Sequence, residues 1–155
     1  MTEDVTDPVV RIRRAFDAAF LRMCAAKNLE TTEDELSNLL SQIYRLGELV
    51  KKRKFGGNNE RFNDALRGTP EGSTVRATLW ARTFDTHDAV VVGKMGDIYA
   101  DYYTEMYGTL VWRPITDLPE QSSKHGQHDD YATYLAGCAV LDNSRLAFDT
   151  LAAMA

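Results

Sequence analysis

Apolar residues recur along this chain at steps of three and four, the spacing that lays one stripe along an α-helix. The first stripe is Val9, Ile12, Phe16, Ala19, Phe20 and Met23. Asp7-Pro8 announces it, an N-cap aspartate ahead of a proline whose missing N–H is an orphan in the first turn anyway. The spacing predicts a helix from there to near Asn28. A second stripe, Leu36, Leu39, Leu40, Ile43, Leu46 and Val50, follows Thr31-Thr32, where Thr32-x-x-Glu35 has the form of a capping box. Two long amphipathic helices joined by a short linker favour an antiparallel pair.

Gly56-Gly57-Asn58-Asn59 ends the second stripe, and a short helix is expected from Glu60 to Leu66. Gly68-Thr69-Pro70-Glu71-Gly72 then reads as a surface loop. Ser73 or Thr74 caps a third major helix through Val75, Leu79, Trp80 and Phe84, whose extent beyond His87 is set against the β-branched Val90-Val91-Val92. Gly93 and Gly96 mark a bend, and helical spacing resumes at Asp97 with Ile98, Tyr102, Glu105 and Met106. Leu110-Val111-Trp112 reads as a short extended piece and residues 113–130 as a long polar surface loop. Asp129-Asp130 caps a last helix containing Tyr134, Leu135, Cys138, Leu141, Leu146, Phe148 and Leu151. The sum is one domain, residues 1–155: an all-α, up-and-down bundle of about five helices, with a short β-hairpin within 90–112 as the local alternative.

Composition narrows the setting. A chain of 155 residues buries roughly two thirds of its unfolded surface and needs no staple. The two cysteines, Cys24 and Cys138, lie far apart among apolar neighbours, which fits a reduced, cytoplasmic compartment. The acidic start, Met1 to Asp7, has neither the basic residues nor the apolar core of a signal peptide. No apolar run reaches the length of a membrane span. The net charge of −5 hides an asymmetry: residues 1–82 hold 14 Lys and Arg against 12 Asp and Glu, while 83–155 hold 4 against 11. Arg11, Arg13, Arg14 and the run Lys51-Lys52-Arg53-Lys54 could meet phosphates if folded onto one face. The plainer reading of Lys51 to Lys54 is a solvated helix C-terminus, where cations complement the macrodipole. Overall acidity argues against strong, unspecific nucleic-acid binding.

The candidate chemistry lies in Arg82-Thr83-Phe84-Asp85-Thr86-His87. Beside Trp80 and Phe84, His87 could simply be a core histidine bonded by Asp85, Asp88 or a tyrosine. On an ideal helix Arg82 and His87 would point about 140° apart. A shared site therefore needs a bend, a helix start or a second subunit.

The string resembles the Arg-x4-6-His signature of HEPN domains, the higher eukaryotes and prokaryotes nucleotide-binding family, with Thr83 where those domains usually carry Asn, Asp or His. The resemblance implies a small all-α bundle that forms a homodimer, with the two Arg–His pairs around a shared cleft. It also implies metal-independent RNA cleavage without a cofactor, and for toxin members a cognate antitoxin. Arg82 and His87 would be the catalytic positions, and Thr83 and Arg76 would assist substrate binding. In such a reaction the RNA 2′-OH attacks the adjacent phosphorus and leaves a 2′,3′-cyclic phosphate, which excludes DNA. His87 would move the proton and Arg82 would hold the phosphate.

Three other clusters carry candidate chemistry. His125-Gly126-Gln127-His128-Asp129 contains donor types that a transition metal takes, against a solvated loop, which its polar context favours. Asp97, Asp101 and Glu105 share one helix face and could hold Mg²⁺ if a second acidic helix faced them. Tyr99, Tyr102, Tyr103, Tyr107 and Trp112 fit core or dimer packing, or a surface on which bases stack. Two functional readings stand: a HEPN-like ribonuclease or its inactive relative, and a non-catalytic helical protein that dimerises or binds a partner.

Overall fold

The chain is an all-α helical bundle. The computed structural model describes residues 6–26, 28–83, 111–118 and 126–155. Six α-helical segments lie among them: α1 (Pro8–Ala25), α2 (Leu29–Phe55), α3 (Asn59–Leu66), α4 (Pro70–Ala81), α5 (Gln127–Asp130) and α6 (Val140–Met154). A 3₁₀ turn, Ile115–Asp117, and a π-helical extension of α5, Tyr131–Leu135, complete them. No helix among the described residues is long and apolar enough to cross a membrane.

The first two stripes behave as their spacing predicts. Ile12, Phe16, Ala19 and Met23 of α1 are buried against α2, whose Leu36, Leu39, Leu40, Ile43, Leu46 and Val50 are all buried. Phe16 stacks on Phe148 of α6, with ring centroids 4.0 Å apart. The Asp7 carboxylate accepts the Val9 N–H at 3.0 Å, as an N-cap should.

The start of α2 differs from the expected capping box. The helix begins earlier, with Asn28 as N-cap accepting the Thr31 N–H at 2.8 Å. The Thr32 hydroxyl donates instead to the Asn28 carbonyl, and Glu35 pairs with Arg22 of α1 at 2.9 Å. Asn28→Ala is therefore expected to destabilise the fold by about 1 kcal/mol. Chemical denaturation would check this, and an unchanged midpoint would contradict the assignment.

The loop expected over Gly68 to Gly72 is instead the start of α4. Thr69 is the N-cap, its hydroxyl accepting the Gly72 N–H at 3.0 Å, and Pro70 occupies the first helical position. Ser73 and Thr74, expected as caps, lie buried inside the helix. α4 is the central element. Val75, Arg76, Ala77, Thr78, Trp80 and Ala81 are all buried, with α3, α5 and α6 packed around them. The hydroxyls of Thr74 and Thr78 survive burial by donating to the carbonyls of Pro70 (2.8 Å) and Thr74 (2.7 Å).

The predicted last helix is divided. Gly126, at φ 74°, precedes α5, so Asp129 and Asp130 fall in the first turn rather than at a cap. The π-helical turn closes at Ala136, whose N–H bonds the Tyr131 carbonyl, and Gly137 at φ 75° ends it. The cause is a distant segment. Trp112 donates its N–H to the Cys138 carbonyl at 3.0 Å and accepts from the Gly137 N–H at 2.9 Å. The extended piece at Val111-Trp112 thus makes isolated bridges with Ala139 and Ala136. Residues 90–92, the expected partner of a hairpin, lie outside the described residues. Within the stretch 113–130, expected as a partly ordered surface loop, the Ile115–Asp117 turn and α5 are formed, and residues 119–125 lie outside the described residues.

Candidate nucleic-acid interface

The two arginines of α4 serve different ends. Arg76, in mid-helix, is 3% exposed. Its Nε donates to the Asn63 side-chain oxygen of α3 at 3.2 Å, and its Nη1 lies 2.7 Å from Oδ2 of Asp130 on α5. Burial lowers the Arg76 pKa, Asp130 opposing, and raises that of Asp130 against the pull of Arg76. Arg76 was expected to assist substrate binding; it sits in an interhelical ion pair that joins α3, α4 and α5.

Arg82 is at the opposite limit. It is the C-cap residue of α4, its N–H bonded to the Thr78 carbonyl at 3.2 Å, and its side chain is exposed. The guanidinium lies over the ring of Tyr44 from α2, 4.1 Å from the centroid. No hydrogen bond or ion pair with the protein occupies its N–H groups among the described residues. Stacking engages the flat face of a guanidinium and leaves its in-plane donors directed outward. Arg82 is thus held over Tyr44, its phosphate-binding fork without a partner among the described residues. Thr83 closes the helix end, its hydroxyl donating to the Trp80 carbonyl at 2.6 Å. The two arginines and Thr83 are therefore not gathered at one point.

Tyr44 also lines a groove of about 590 Å³ between the start of α1 and the second half of α2. Its apolar floor includes Pro8, Ile12 and Leu49; Arg45, Lys51 and Lys52 provide positive charge, partly offset by Glu48. The basic run at the end of α2 is thus divided. Lys51 pairs with Glu48 and Arg53 with Asp7 (3.5 Å), while Lys52 is exposed in the groove. Tyr44 was not singled out from the sequence. Its signal was an aromatic at the edge of the α2 stripe, next to Arg45.

His87, Asp97, Asp101, Glu105, the Tyr99–Tyr107 cluster and His125 lie outside the described residues. His128 meets the Trp80 ring edge-on at 5.7 Å and lies 3.5 Å from Asp129. No group of three or more metal-binding side chains occurs among the described residues. A buried aromatic chain backs this region: Trp80 meets Tyr131 at 5.5 Å and Tyr131 meets Trp112 at 6.3 Å. The Tyr131 hydroxyl donates to the Arg113 carbonyl at 2.7 Å, and burial raises its pKa. Comparison of the chain with protein-family models, with curated proteins and with solved structures found no match.

Proposed function

We propose that this bundle is a HEPN-like protein acting on RNA, a metal-independent endoribonuclease or its inactive relative. The observation that carries the reading is Arg82: exposed, stacked on Tyr44, and with its guanidinium N–H donors unpaired among the described residues. A guanidinium so placed suits a phosphate, which it can grip with two parallel hydrogen bonds while offsetting charge that develops on the phosphoryl oxygens.

In the active form His87 accepts the proton of the RNA 2′-OH as that oxygen bonds to phosphorus. The P–O5′ bond breaks, and a proton returns to the departing 5′ oxygen. A homodimer would supply two Arg82–His87 pairs, so that one histidine is base and the other acid. The reaction needs no metal or cofactor.

The test is cleavage of RNA by purified protein in EDTA, with product ends analysed for 2′,3′-cyclic phosphate. Arg82→Ala and His87→Ala are each expected to lower the rate by about a hundredfold or more. Absence of metal-free cleavage by the folded wild type would remove the enzyme. A non-catalytic helical protein that dimerises or binds a partner would then be the better account.

A further inference from the structure

We infer that the groove between α1 and α2 binds single-stranded RNA, with an unstacked base against Tyr44 and the adjoining phosphates on Arg45, Lys52 and Arg82. The inference rests on the RNA reading above and adds the strand state of the ligand and the residues that hold it. Three observations converge on one place. Tyr44 keeps 39% of its surface exposed and lines an apolar-floored groove; Arg82 lies over one face of its ring, so a base would take the opposite face. Arg45 and Lys52 are both exposed there and neither is in an ion pair among the described residues; Nη1 of Arg45 donates to the Gln42 side-chain oxygen at 3.0 Å, and Glu48, paired with Lys51, also lines the groove. Arg82, just outside the groove's lining, lies over the same ring, its fork without a partner among the described residues.

The chemistry selects the occupant. An apolar floor repels phosphate but accepts the face of a base, and cations at its margin accept the backbone on either side of that base. In a duplex the base faces are already stacked, and in A-form RNA the deep major groove is closed to side chains. A duplex could therefore reach the cations but not the tyrosine. Only a strand with a splayed base uses both.

The experiment is fluorescence anisotropy with the whole chain and a labelled 12-nucleotide RNA, 2′-O-methylated throughout so that it binds but cannot be cleaved. The same sequence as a duplex and a poly-glutamate peptide serve as competitors. The single strand is expected to outcompete the duplex. Tyr44→Ala should weaken binding about tenfold, the order of one lost base stack, and Tyr44→Phe should retain it. Because Tyr44→Ala also frees Arg82, Lys52→Glu is the independent variant. It lies on the surface, leaves the fold intact, and should weaken binding and flatten its salt dependence.

Equal competition by the duplex, or binding indifferent to both Tyr44→Ala and Lys52→Glu, would overturn the inference. Poly-glutamate competing as well as RNA would replace it with an acidic protein partner. Because the probe cannot be cleaved, the outcome is independent of the ribonuclease reading. Cleavage that persists without groove binding refutes the groove alone, and groove binding without cleavage refutes the enzyme alone.

Discussion

Replacing Arg76 by Met is expected to lower the unfolding free energy by about 3 kcal/mol, the low end for breaking a buried ion pair because the Asp130 side chain keeps 16% exposure. The substitution preserves most of the apolar stem, so the loss reports the guanidinium. It leaves the Asn63 oxygen without its donor and the Asp130 carboxylate without its cation, both at the junction of α3, α4 and α5.

The pH dependence of that loss has a definite sign. In the wild type, burial raises the Asp130 pKa although Arg76 opposes it. The folded chain then holds that proton more tightly than the unfolded one. Asp130 accordingly favours the fold at acid pH, and this contribution is lost as pH rises through its raised value. Without Arg76 the rise is larger, so the deficit of Arg76→Met should widen from an acid to a weakly alkaline pH. Denaturant unfolding at both values would measure it. Arg76→Met/Asp130→Leu should recover much of the stability, since it removes both charges. A double variant no better than Arg76→Met would mean that the pair is not the source of the cost.

Gly72→Ala should be comparably damaging for a steric reason. A Cβ at Gly72 would fall 1.9 Å from the Leu66 carbonyl oxygen and 2.9 Å from the Leu66 Cα. Both are backbone atoms at the end of α3, so no side chain can rotate away and the two helices must separate. A loss of about 3 kcal/mol is expected, or about 6–12 °C in Tm for a chain of this size. Gly47→Ala provides the contrast. There the added Cβ meets the Leu79 methyls at 3.6 Å and a Leu151 methyl at 3.8 Å, ordinary contact distances. Inside α2, Ala should stabilise by up to about 1 kcal/mol. Equal melting temperatures for the two variants would argue against the close approach of α3 and α4.

Arg76 and Arg82 show how far residue type can be taken. One lies within α4 and the other caps its end, and both are candidates for holding RNA. Arg76 meets Asn63 and Asp130, which lie 13 and 54 positions away in sequence, and no local pattern links the three. Arg82 meets Tyr44, 38 positions earlier. What distinguishes a guanidinium placed among helices from one offered to solvent is which elements pack around it.

The same division runs through the fold. Local periodicity alone determined α1, α2 and the short α3, because each has one apolar stripe facing the core and the helical repeat is a property of the backbone. It likewise determined the all-α class. It could not reveal α4 from its first residue, because that helix is enclosed on all sides and its small residues Gly72, Ser73, Ala77 and Thr78 form no stripe. Nor could it divide the final segment, where Trp112 pairs with Gly137 and Cys138 from some 25 positions away. Spacing records which face of a helix is apolar. Which helices enclose it, which arginine they bury, and whether Arg82 reaches the Tyr44 that lines a groove with Arg45 and Lys52 were decided by contacts between segments remote in the chain.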